Sequence, residues 1–220
     1  PVFCLDIGGG VTNVAVLSLD GIIAGLSMNI GGNNMDANVI ARIEECKGLR
    51  IGALSAERVK NEIGSLAVGA RGTTVVEGSL SATLRPGSAA VQASEIEPCI
   101  RVYIDKILEY VSLVLEKLPA EVAAAVNQNG VYLSGGVAKI SFVPEYIAKN
   151  LDMRTHVCDE PQFAALHDKR VAFRIGAELV SVQAFSALFE ARERADELCQ
   201  AAALSRLFPI HGAAAVWIVS

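Results

Sequence analysis

Aromatic side chains make up only 5% of the 220 residues, with a single tryptophan, so the core has to be aliphatic. Basic runs are absent and the net charge is −5, which argues against nucleic acid as a partner. The five cysteines, Cys4, Cys46, Cys99, Cys158 and Cys199, are odd in number and include no Cys-x-x-Cys pair. Most lie in apolar surroundings, as reduced, buried thiols would, and a cytoplasmic location is expected. No apolar run is long enough to span a bilayer. The most apolar late stretch, LFPIHGAAAVWIVS, is short and broken by Pro209, His211 and Gly212. No signal peptide is visible, and the chain starts on Pro1 with residues that already read as strand. A piece of a longer protein is therefore expected. Internal repeats, low-complexity linkers and long heptad arrays are also missing.

What is present is an apolar chain, 52% hydrophobic and 20% charged, with enough material for one or two domains. It opens PVFCLDIGGGVTNVAVLSLDG. VFCL and VAVLSL are β-branched-rich runs that read as strands. Between them Gly8, Gly9 and Gly10 carry no Cβ, so the backbone there can take positive φ and a ligand can approach its amides. Asp6 ends the first strand beside that loop. Bare amides next to a carboxylate suit a phosphate and its metal ion. A plain glycine hairpin with a solvated aspartate fits the same stretch.

Asp20-Gly21 signals a hairpin turn into a third strand, IIAGLSMNI. Met35, Val39, Ile40 and Ile43 then recur at helical spacing, with Asn33 or Asn34 as the cap and Gly48 as the stop. Ser55 offers a cap for SAERVKNEIGSL. ARGTTVVEGSLSATLRPG reads as an antiparallel pair. Ser94 and Glu97 form a capping box for a long helix whose buried stripe runs from Ile96 to Leu115. An alanine-rich helix, the strand–turn GVYLSGGVAK, a helix SFVPEYIAKNL, a strand MRTHV and a helix start DEPQFAAL follow. Residues 183–208 read as a charged amphipathic helix.

Ser134, Gly135 and Gly136 make a second strand–glycine turn, and in a sheet flanked by helices such loops collect where ligands bind. Glu57 and Lys60, three apart on one helix, can either hold a ribose and a purine or form an exposed ion pair.

The ordered set DIGGG, GG-x-x-MD, SAERVKNEIG and LSGG resembles the second half of the MreB family of bacterial actin homologues. More distantly it is similar to actin, to heat-shock chaperone ATPase domains and to the FtsA cell-division protein. The resemblance covers roughly residues 2–165. It implies an α/β, actin-like ATPase domain of ribonuclease H-like type: a mixed sheet flanked by helices, with a small α+β insert. Residues 1–32 and 94–182 would be the core, 33–93 the insert, and 183–220 an unmatched helical tail. It also implies ATP and Mg2+ as cofactors, the metal held mostly through water. Asp6 matches the acid beside the metal-bound phosphates and, with Thr12, is expected among the catalytic residues. Gly8, Gly9, Gly10 and Thr12 match the second phosphate loop. Gly32 and Asp36 match a mainly structural turn. Glu57 and Lys60 match the ribose and adenine contacts. Gly135 and Gly136 match the adenosine loop, and Lys139 falls where relatives lay a long side chain against the base. ATP or ADP and further copies in a filament are the implied partners; membrane contact is not expected from this half. Nucleotide would lie between two halves, and this chain would supply one wall.

Val11 and Asn13 depart from the family, where threonine and an acid are common near the γ-phosphate. Residues from about 167 onward find no match. His156 and Cys158 can share a face, but no second pair completes a zinc site. Ser134 and Ser141 have no nearby histidine and aspartate for a hydrolase triad. The mixed charges of 183–208 fit a packed or solvated helix better than a lipid-binding one. Three functions compete: a cytoskeletal ATPase governing bacterial cell shape, a non-filament chaperone- or kinase-like member of the fold, and an interaction domain with weakened catalysis. The short insert and the KNEIG stretch favour the first over the second.

Overall fold

The structure, a computed structural model, describes residues 1–18, 21–158, 172–175, 178–181 and 214–218. In chain order its elements are β1 (Val2–Ile7), β2 (Thr12–Ser18), β3 (Gly21–Met28), α1 (Gly32–Lys47), β4 (Leu49–Arg50), α2 (Ala53–Ile63), β5 (Thr73–Leu80) and β6 (Pro86–Gln92). Then come α3 (Ala93–Glu116), α4 (Ala120–Asn129), β7 (Val131–Ser134), a 3-10 turn (Gly136–Lys139), α5 (Val143–Leu151), β8 (Thr155–Val157), β9 (Ala172–Ile175), β10 (Glu178–Ser181) and β11 (Ala214–Ile218).

The main sheet is mixed, in the order β11-β3-β2-β1-β7-β8. β1, β2, β3 and β11 pair antiparallel in turn, whereas β1–β7 and β7–β8 are parallel. The expected mixed sheet flanked by helices is thus the observed fold class. β1 is buried along its whole length, as an apolar strand with neighbours on both sides should be. Phe3, Leu5 and Ile7 face the main core with Ile100, Ile104, Ile107 and Val111 of α3 and Val143 and Ile147 of α5. Val2 and Cys4 face the other way, with Ala15 and Leu17.

A second sheet, β4-β5-β6, is antiparallel. With α1 and α2 it encloses a smaller core of Val39, Ile43, Leu49, Val59, Val76 and Val91, to which α3 adds Ile96 and Cys99.

The helix caps differ from the sequence reading. α2 begins at Ala53 behind Gly52, so Ser55 lies inside it. α3 begins behind Gln92, and Glu95 accepts the Gln92 amide at 2.8 Å, in place of the Ser94–Glu97 box. α1 starts behind Gly31, whose amide donates to Asn34 Oδ1 at 2.9 Å, so Asn34 does help cap it, and it does stop at Gly48. Cys46 is exposed rather than buried. Residues 214–218, expected in a helical tail, form β11. The Asp20 turn, the DEPQFAAL helix and the 183–208 helix lie outside the described residues. Among the described residues no helix is long and apolar enough to cross a membrane.

Candidate functional site

Because β1 and β7 are parallel, with Asp6 opposite Ser134, the chain leaves both strands at the same end of the sheet. Both departures are glycine turns.

In the first, the Gly8 amide donates to Val11 O at 3.0 Å. The Gly8 and Gly9 carbonyls accept the amides of Gly32 (3.0 Å) and Asn33 (2.7 Å) at the start of α1. The two backbones meet so closely that a Cβ on Gly31 would sit 2.6 Å from both carbonyl oxygens. Those bonds satisfy amide donors that a helix start ordinarily offers to a capping side chain, so α1 needs no serine or aspartate cap. The amides of Gly9 and Gly10 have no hydrogen-bond acceptor among the described residues. None of Gly8, Gly9 and Gly10 has positive φ, so the conformational freedom open to these glycines is not used. What the glycines provide is the absence of side chains.

In the second turn Gly135 does require glycine. Its φ is +89°, and a Cβ there would lie 2.1 Å from Ile7 O. A Cβ on Gly136 would meet nothing within 4 Å.

Asp6 lies between the turns and is 8% exposed. Its Oδ1 accepts a 2.8 Å hydrogen bond from Ser134 Oγ. Burial raises the Asp6 pKa, and the Ser134 hydroxyl opposes that by favouring the carboxylate.

Lys60 does not pair with Glu57. It is buried, its Nζ 2.8 Å from Asp36 Oδ1, and it donates to Asp36 Oδ2 at 2.9 Å and to Gly32 O at 3.2 Å. Burial pushes the Asp36 carboxyl up and the Lys60 ammonium opposes it. The exposed ion pair is thereby excluded.

These pieces surround a cleft of about 490 Å³. Of the residues expected at a site, Asp6, Gly8, Gly9, Glu57, Lys60, Gly135, Gly136 and Lys139 line it. Gly10 and Thr12 do not. Thr12 is fully buried and its hydroxyl donates to Ile30 O at 2.6 Å, tying β2 to the end of β3 rather than facing a ligand. Val11 and Asn13 are not cleft walls either, and Asn13 Oδ1 accepts from Ser27 Oγ at 2.9 Å. Sequence reasoning missed Asn33, Asn61, Val137 and Ile140 as lining residues. It also missed Ser134 as the partner of Asp6. His156 stacks on Tyr132 at 4.8 Å, with Nε2 3.1 Å from Asn129 O. Among the described residues, no three acidic, histidine or cysteine side chains cluster to hold a metal. Two carboxylates line the cleft, Asp6 and Glu57, and a cation held at Asp6 beside the glycine turns would complete its shell with water or phosphate oxygens. That donor set fits Mg2+, which keeps several waters.

A protein-family model described as MreB/Mbl protein matches residues 2–173, past the expected end at 165. The chain is similar to the cell shape-determining protein MreB of Escherichia coli K12, at 31% identity over 164 residues. That alignment covers 71% of this chain and 46% of the relative, so the chain spans about half the length of the curated relatives it matches. Among solved structures it is similar to MreB5 of Spiroplasma citri bound to AMPPNP, with TM-score 0.71 and 25% identity over 88% of this chain and 54% of that one. It shares its fold with the MamK double helical filament, at TM-score 0.60 and 20% identity over 74% of this chain and 50% of that one.

Proposed function

The chain belongs to the MreB/Mbl protein family, and on that premise we propose that it is the nucleotide-binding half of an actin-like ATPase whose filaments govern bacterial cell shape, in the cytoplasm. The observation that carries the nucleotide reading is the unpartnered amide of Gly9, which lines the cleft with the Asp6 carboxylate and is followed in the chain by the unpartnered amide of Gly10. The amides take phosphate oxygens, and Asp6 takes Mg2+ through water. Glu57 and Lys139 contact the ribose and the base, and Gly135–Gly136 lets the nucleoside lie against bare backbone. Phosphate transfer to water needs charge stabilised on both sides of the phosphate, so this chain alone binds ATP weakly and does not turn it over. The family match sets aside the chaperone-like and kinase-like alternatives.

Gly9→Val in the complete protein tests the reading. A Cβ at Gly9 meets only the Asn33 side chain, at 3.3 Å for Oδ1, and Asn33 is exposed and free to move aside. The variant is expected to fold, with an isopropyl group where phosphate would sit. Wild type at saturating Mg-ATP should gain about 2.7 kcal/mol at a hundredfold excess over Kd. The variant should melt at the unliganded wild-type temperature with or without ATP. A full ATP-dependent shift in Gly9→Val would overturn the phosphate-loop reading.

A further inference from the structure

Lys60 stands where the resemblance expects a ribose or adenine contact, yet two of its three N–H groups are committed inside the protein, to Asp36 and to Gly32 O. Gly32 belongs to the same helical turn whose amides hold the glycine loop through Gly8 O and Gly9 O. A Cβ on Gly32 would lie 3.1 Å from Lys60 Nζ and 3.7 Å from Gly9 Cα, so loop, helix start and lysine are packed into one contact. On its other side Lys60 belongs to α2, which carries Glu57 and Asn61 to the cleft. Lys60 therefore connects the phosphate end of the cleft to its nucleoside end through one buried ion pair.

We infer that the Lys60–Asp36 pair is a strut that fixes the glycine loop against α2, so that Lys60, besides lining the cleft, is a positioning residue for the loop. The inference rests on the nucleotide reading above. A buried pair of this kind holds its geometry tightly, because neither charge has water to turn to when the other is displaced. With the strut gone, α1 loses its polar tie to α2 at the loop end, and the loop amides lose their placement. The loss is then felt at the phosphates.

The test is a double-mutant cycle in the complete protein with Lys60→Met, Asp36→Asn and both together. Mg-ATP and Mg-tripolyphosphate affinities are measured by calorimetry, and unliganded melting temperature is measured alongside. A strut predicts that both single variants and the double variant weaken Mg-ATP by a similar factor, about tenfold, because each removes the same connection. It also predicts the same fold-loss for tripolyphosphate, which has no nucleoside to contact. If a single variant does not fold, the double variant, which leaves no unpaired buried charge, decides by its tripolyphosphate loss alone. Asp36→Asn binding Mg-ATP like wild type while Lys60→Met does not would overturn the inference. So would losses that multiply in the double variant, or a loss confined to ATP. A wild type that binds Mg-ATP but ignores tripolyphosphate overturns it too, since the loop then grips no phosphate. A wild type that binds no Mg-ATP overturns the nucleotide reading itself, and the inference with it.

Discussion

Replacing Gly135 by alanine adds one carbon at a place where no carbon fits. The new Cβ would lie 2.1 Å from Ile7 O, 2.4 Å from Ile7 C and 2.8 Å from Ile7 N, all backbone atoms of the central strand. None of them can swing away as a side-chain tip would. The residue also sits at φ +89° and ψ 161°, a region essentially reserved for glycine. That conformation costs about 1–3 kcal/mol for alanine. Forcing the loop off β1 adds about 1–3 kcal/mol more, as overpacking does elsewhere. The sum, about 2–6 kcal/mol, is a large part of the 5–15 kcal/mol that holds a typical domain together. In a chain of this size it should lower the melting temperature by at least about 4 °C. Gly136→Ala is the control, because its Cβ meets nothing within 4 Å. It should stay within about 0.5 kcal/mol of wild type. Urea titrations read by circular dichroism would report both variants, with the denaturant slope checked for constancy. Equal midpoints for Gly135→Ala and wild type would refute the packing of this turn against Ile7.

Two further outcomes are expected. Burial holds the Asp6 pKa above its ordinary 3.8, so the folded chain binds that proton more tightly than the unfolded chain. Stability from this group therefore falls as pH rises from about 3.8 through the folded value, and above it the buried carboxylate is a standing cost. Asp6→Asn should melt higher than wild type at pH 7, lose that advantage below about pH 3.8, and forfeit the Mg-ATP shift; a lower melting temperature at pH 7 would contradict the assignment. Thr12→Val removes the hydroxyl that satisfies Ile30 O and should cost about 1–2 kcal/mol in unfolding while leaving the ATP turnover of the complete protein intact. A large drop in kcat would instead put Thr12 in the chemistry.

The strands, the order of helices and the two glycine turns were legible because each has a local cause: alternation, helical spacing, residues without side chains. Gly48 as the stop of α1 was legible for the same reason. The helix starts were not. Asn34, one of the two expected caps, does accept the Gly31 amide at 2.9 Å, but the amides of Gly32 and Asn33 are capped by the carbonyls of a distant loop, which no local pattern records. The partner of Lys60 was obscured in a similar way. Glu57 stands one turn away and draws the eye, while Asp36 lies on another helix. One signal was available. Asp36 falls at helical spacing with Val39 and Ile43, on the buried stripe of α1, and a buried acid requires a cation. Of the two uses that bare glycines offer, backbone freedom and close approach, the first loop takes the second. Ser134 reads from the sequence as part of a glycine turn or as a nucleophile without partners, and its register against Asp6 gives it a different task.

The hydrogen bond between Ser134 and Asp6 joins residues 128 positions apart. One wall of the cleft comes from the first strand of the chain and its neighbour from the seventh. Contacts of that span are costly to close and tend to form late in folding. A chain emerging from the ribosome would complete β1, β2, β3, α1 and the whole smaller sheet before β7 could dock and bring Gly135 under Ile7. A ligand gripped between those two turns is thus held by contacts absent from the early folding nucleus. Its stabilisation should appear chiefly as slower unfolding, with the folding rate little changed.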